Sequence, residues 1–155
     1  MAKIETIIDD LGKEIEIVNI ENSVGTGGIN NPDDVKIVKA LFNNVPHWNP
    51  QNSKNYSKGF KTLYWKTLSN GLPSEYDGTV WGLVETTKSF QKYANTMLSK
   101  YGFKVSVNGG MKPAKSYAVV GGKYSTIVAL NVFANLTHFN GSDLVDFFRK
   151  NYDID

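Results

Sequence analysis

The residues of this 155-residue chain that could do chemistry are two histidines, three carboxylates around an Asp-Gly pair, and aromatics in an amide-rich stretch. His47 and His138 share neither His-x-x-His nor His-Glu-x-x-His spacing, so no zinc site is expected. A loop and a helix end are simpler places for them. Cysteine is absent, which removes disulfides, thiolate ligands and Cys-His pairs. No Gly-x-Ser-x-Gly elbow marks a serine nucleophile, and Ser125 and Ser142 read as helix N-caps. Glycan hydrolysis needs an acid and a second carboxylate across the sugar. Glu75, Asp77 and Glu85 cluster near the Asp77-Gly78 turn, but Asp77 reads more simply as a turn residue and the glutamates as solvated.

Binding chemistry is better represented. Trp and Tyr present flat apolar bodies with a polar tip, which suits sugar faces. Trp48, Tyr56, Tyr64, Trp65 and Trp81, with Asp77 and several asparagines beside them, form a candidate ligand-binding set. The alternative is that these aromatics cover the core beneath a long loop. Two glycine-rich stretches invite a phosphate-loop reading. In "SVGTGGINNPDD" no Lys-Ser or Lys-Thr follows Gly27-Gly28, and Asp33 and Asp34 would repel a phosphate. "VGGKYST" at 120–126 lacks the leading glycine and a buried strand before it. No cofactor and no metal is expected.

Bulk properties narrow the class. Hydrophobic content is 41% and charged content 21%, ordinary for a globular chain with a core of its own. A net charge of +2, with lysines scattered along the chain, does not point to nucleic acid. No run approaches the roughly 18 apolar residues of a membrane span. Asp9, Asp10, Glu14 and Glu16 exclude a Sec-type apolar segment. The expected location is cytoplasmic, or export by a signal-independent route to act at the periplasm or cell wall.

The elements that must position any site can be read from periodicity. "EIEIVNI" alternates as a strand, and Gly12-Lys13 can turn a preceding strand back onto it, giving a hairpin within residues 1–20. Asn31 as N-cap, Pro32 at the first position and Asp33-Asp34 in the first turn predict a helix over 32–44, with Val35, Val38, Leu41 and Phe42 on its apolar face. Residues 46–76 read as a long polar loop. A helix over 83–101 faces inward through Val84, Thr87, Phe90, Ala94, Met97, Leu98 and Tyr101 and stops at Gly102. "FKVSVNGG" predicts a short strand into a turn. Helices are expected over 125–135 and after Ser142.

The stretch "SVGTGGINNPDDVKIVKALFN" resembles the opening segment of bacterial peptidoglycan-binding-like domains. These carry a Ser-Val-Gly-x-Gly-Gly-x-Asn-x-Pro-x-Asp-Val turn before a helix. The match covers Ser23, Val24, Gly25, Gly27, Gly28, Asn30, Pro32, Asp34 and Val35, and then Val38, Leu41 and Asn43. "DGTVWGLVETTKSFQ" looks like the family's Asp-Gly…Phe-Gln signature at Asp77, Gly78, Phe90 and Gln91. "VNGGMKPAKSYAVVGGKYSTIVALN" looks like its closing segment, at Gly109 or Gly110, Pro113, Thr126, Leu130 and Asn131. The resemblance spans about 20–135, and the chain departs from the pattern at "WGLVETT".

The resemblance implies a mainly α fold: a small helical bundle over 21–135, with an N-terminal hairpin in 1–20 and an extra C-terminal helix in 136–155. It implies non-catalytic binding of peptidoglycan glycan or stem peptide, as a module associated with a secretion system or a hydrolase. The departures admit an alternative: a protein–protein component of a secretion apparatus or phage particle on the same scaffold. A small cell-wall hydrolase is a third. Gly25, Gly27, Gly28, Asn30, Pro32 and Asp34 are read as turn-defining, with ligand contact as the alternative.

Overall fold

The structure, a computed structural model, describes residues 2–45, 81–135 and 144–155. Expectations placed on 46–80 and 136–143, including the polar loop and the Ser142 cap, lie outside these residues. In chain order the elements are β1 (Lys3–Ile8), β2 (Glu14–Asn19), β3 (Val24–Gly25), α1 (Pro32–Asn43), α2 (Trp81–Leu98) and a 3-10 turn (Ser99–Tyr101). After them come β4 (Gly110–Met111), β5 (Val119–Val120), β6 (Lys123–Tyr124), α3 (Thr126–Asn135) and α4 (Leu144–Tyr152).

The N-terminal hairpin forms as its alternation requires. β1 and β2 pair antiparallel, with Lys3 opposite Asn19 and Ile8 opposite Glu14. Asp9 accepts from the Leu11 and Lys13 N–H groups, and Gly12 supplies a left-handed residue at φ +79°. The end of β2 and the residue after it are fully buried: Ile17, Val18, Asn19 and then Ile20 all face away from solvent. This hairpin is therefore a wall of the core and not an appendage to it.

That finding corrects the expected mainly α bundle. Among the described residues four helices stand with three two-stranded antiparallel sheets, a mixed α/β architecture. The physical reason lies in the glycines. Gly121 and Gly122 both adopt positive φ, so 119–124, within "VGGKYST", folds as a tight hairpin. Gly25 and Gly110 pair directly in the small sheet of β3 and β4. The "FKVSVNGG" segment also differs from expectation: it makes only an isolated bridge at Lys104 before β4. The Val105 N–H and C=O are taken by the Asn95 side chain, at 2.6 and 2.9 Å, in place of a strand partner.

The helices close the core around Phe90 of α2. Its ring meets Phe42 of α1 and Phe133 of α3 edge-on, with centroids at 5.8 and 5.9 Å. α1 begins where its signals put it: the Asn31 side chain accepts from the Asp33 N–H, and Pro32 is first in the helix. Burial goes further than the predicted face, including Asp34, Ile37, Lys39 and Ala40 as well. α3 is likewise buried on most sides. α2 buries Leu83, Phe90 and Ala94 together with the polar Thr86, Thr87 and Gln91. Tyr101, expected inward, is 74% exposed, because it closes the 3-10 turn into which the helix tightens, just before left-handed Gly102.

Asn131 of α3 holds the hairpin to the helices. Its amide accepts from the Val18 N–H at 2.8 Å and donates to the Val18 C=O at 2.9 Å, completing the outer edge of β2. Replacing Asn131 by Leu keeps the volume but leaves two buried backbone groups unpaired. Urea unfolding is expected to show a loss of about 2 kcal/mol or more, whereas a loss under 0.5 kcal/mol would deny the amide this role.

Candidate functional site

The glycine turn is built from side-chain amides and close backbone approaches. Asn30, itself at φ +58°, accepts from the Gly25 N–H at 2.6 Å and donates to the carbonyls of Gly25 and Gly28 at 3.2 and 3.0 Å. Gly25, at φ +94°, lies so near the Gly109 carbonyl that a Cβ would stand 2.2 Å from its oxygen. At Gly28 a Cβ would come 2.6 Å from the Ser23 carbonyl oxygen. Asp34, fully buried, accepts from the Glu21 N–H at 3.1 Å and the Asn22 N–H at 2.9 Å. The turn-defining residues thus spend their polar groups on the turn and on the chain leading into it.

The partner of this turn is the Asn108-Gly109-Gly110 loop, held by Gln91. The buried Gln91 carbonyl accepts from the N–H groups of Asn108 and Gly109, each at 2.9 Å. Its amide nitrogen donates to Asn108 Oδ1, the Gly110 carbonyl and Thr126 Oγ1 at 3.0, 3.0 and 3.2 Å. With the loop so fixed, the Gly109 carbonyl accepts from the Thr26 N–H at 3.0 Å, and the two glycine segments face each other.

Beside this junction opens a cleft of about 480 Å³. One wall is the glycine turn, through Ser23, Thr26 and Gly27. The other is the segment 106–126, with hydroxyls from Ser106, Ser125 and Thr126 and the side chains of Tyr117 and Tyr124. Lys112, Lys115 and Lys123 also line it, and no carboxylate or histidine does among the described residues. Tyr117 is 56% exposed at its margin, and Val120 is 65% exposed. Tyr124 is buried and packs edge-on to Phe103 at 5.8 Å. Burial, and then the nearby Asp10 and Asp9 carboxylates, push its phenol up to about 12. Such a surface offers hydroxyl, amide and ammonium donors to a ligand.

Of the sequence-derived binding candidates, Trp48, Tyr56, Tyr64, Trp65 and Asp77 lie outside the described residues. Trp81 is placed by its backbone at the first position of α2. Glu85, on α2, is exposed and does not line the cleft. No three His, Cys, Asp or Glu side chains among the described residues gather as a metal site. Sequence reasoning missed the cleft lysines. The signal for them was available: between Glu85 and Asp143 stand seven lysines and no carboxylate, a segregation that a net charge of +2 conceals.

No family model, no curated protein and no solved structure matches the chain. The likeness to peptidoglycan-binding-like domains therefore rests on the motif residues alone.

Two measurements probe the site's construction. Gly27 has open space around its absent Cβ but sits at φ +69°, so Gly27→Ala is expected to cost about 1 kcal/mol. Gly25→Ala must also displace the Gly109 backbone, so its cost is expected to be on the order of 3 kcal/mol. Equal losses in chemical denaturation would show that the Gly25–Gly109 approach is not tight. The second concerns Tyr124, whose folded pKa is raised above the unfolded value. Its contribution to stability is full below pH 10 and lost as pH rises toward about 12. Wild-type protein should lose stability relative to Tyr124→Phe across that interval, and parallel curves would refute the buried phenol.

Proposed function

We propose that this chain is a non-catalytic module that binds bacterial cell-wall peptidoglycan, with the cleft as the seat of the ligand. The observation that carries this reading is the composition of the cleft walls. The two segments that resemble the family's opening and closing motifs, 23–28 and 108–126, lie far apart in sequence and form opposite sides of one donor-rich groove. Peptidoglycan presents amides, hydroxyls and carboxylates, all of which such donors can engage. Holding a ligand needs only these groups, whereas glycan hydrolysis needs a carboxylate pair across the sugar. Among the described residues no helix is long and apolar enough to cross a membrane. Export by a signal-independent route would bring such a module to the wall.

A second reading has one observation in its favour. Tyr117 and Val120 are large, exposed and close to the cleft margin, as a protein-docking surface in a secretion apparatus or phage particle would require.

Pelleting with purified Gram-negative sacculi, scored for bound protein and released muropeptides together, separates the readings. Binding without release is expected. Release abolished by Glu85→Gln would make the chain a hydrolase. Neither binding nor release would overturn the cell-wall reading and leave the docking surface as the better account.

A further inference from the structure

Among the described residues, the cleft is lined by three lysines and by no carboxylate. Lys112, Lys115 and Lys123 line it from two segments, the stretch after β4 and the strand β6. All three are exposed, and none takes part in an ion pair among the described residues. Two further lysines sit close by. Lys104 bridges backbone to backbone with Lys123, and the Lys88 side chain reaches the space beside Gly109. Asp9 and Asp10 at the hairpin turn act on Tyr124 of the cleft, and Asp9 already accepts two backbone N–H groups there. Arg149 of α4, by comparison, is paired with Glu16 and Asp146 at 3.0 and 3.2 Å. What sets the cleft lysines apart is their gathering on one concave surface.

Gathered lysines repel one another, and an isolated exposed lysine contributes little to stability. Their grouping at a concave, donor-lined surface gains its energy only when an anion arrives. Flanking hydroxyls from Ser106, Ser125 and Thr126 can donate to the same oxygens, which makes the contacts charge-assisted. We infer that the cleft recognises an oxyanion on the cell-wall polymer, a carboxylate of the stem peptide or a phosphodiester attached to the wall, through Lys112, Lys115 and Lys123. This inference rests on the cell-wall reading for the polymer but not for the anion.

The test uses the full chain and a Lys112→Gln/Lys115→Gln/Lys123→Gln variant, with folding verified by circular dichroism. Three sacculus preparations are compared: untreated Gram-positive, the same stripped of phosphodiester polymers by hydrofluoric acid, and stripped sacculi whose carboxylates have been amidated. Retention lost on stripping identifies phosphodiester; retention lost only on amidation identifies carboxylate. In either case the triple variant should bind about tenfold more weakly, and wild-type binding should fall as salt rises. Retention that survives both treatments, or a triple variant that binds like wild type, overturns the oxyanion site while leaving the wall-binding reading intact. If sacculi are not bound at all, amide chemical shifts under titration with inorganic phosphate or acetate decide the matter. Shifts confined to residues 106–126 and absent in the variant would sustain an oxyanion site outside the cell wall, and their absence in the wild type would refute it. Equal retention on duplex DNA would reduce the cleft to non-specific attraction and also overturn the proposal.

Discussion

A single buried side chain, Gln91, holds together the parts of the molecule that matter most. It offers one carbonyl oxygen to two consecutive N–H groups, and one amide nitrogen to a side-chain amide, a backbone carbonyl and a hydroxyl. With Asn108 Oδ1, which accepts from the Gly110 N–H, it satisfies a polar backbone loop that has little regular structure of its own. The Gly109 carbonyl is then positioned for Thr26, β4 for β3, and Thr126 for the first turn of α3. That one amide thus fixes the 108–126 wall of the cleft, against which the Asn30-held glycine turn is set. A buried amide suits the task because it is neutral and can both donate and accept, whereas a carboxylate would have to be desolvated and would lose the donor half of the network.

The same device recurs at four further places. Asn19 accepts from the Ala114 N–H and donates to the Ala114 carbonyl, at 2.9 and 2.8 Å. Asn30 does so for Gly25, Asn95 for Val105 and Asn131 for Val18. In each case a side-chain amide acts as one rung of a strand that the chain does not supply. Sheets of two residues per strand cannot stabilise themselves. They persist here because amides satisfy the groups that the short ladders leave over, and because the aromatic contacts of Phe90 fix the helices from which Gln91, Asn95 and Asn131 project.

This arrangement decides what the sequence could reveal. Local rules sufficed where the cause was local: the alternation of β1 and β2, the Asn31-Pro32 start of α1, and the Gly102 stop after α2 all follow from neighbours within a few residues. The fold class was misread because the small sheets arise from contacts distant in sequence. Gly25 meets Gly110 through an amide on α2, and no periodicity records that pairing. The failed strand at 103–108 has the same origin, since Asn95 takes the backbone groups of Val105 that a neighbouring strand would have used. For the site, aromatic residues drew attention because their chemistry is conspicuous. The lysines did not, since spaced eight or more residues apart in places they form a group only once the β5–β6 hairpin folds back beside Pro113.

Charge and structure are therefore divided between different residue types. The interior polar work falls to neutral amides, whose burial is offset by two or more hydrogen bonds each. Two charged residues among those described are buried as well: Asp34, a carboxylate kept by the N–H groups of Glu21 and Asn22 at the mouth of the glycine turn, and Lys39 of α1. With amides carrying the framework, the lysines between Glu85 and Asp143 have no structural duty that would require acidic partners nearby. A stretch of chain that builds its own tertiary contacts without carboxylates can leave a cationic surface unneutralised, at the small cost of mutual repulsion in high dielectric. The concave side of that stretch is the cleft, so the absence of acids from the segment and the openness of the site to an anion are one feature seen at two levels of the structure.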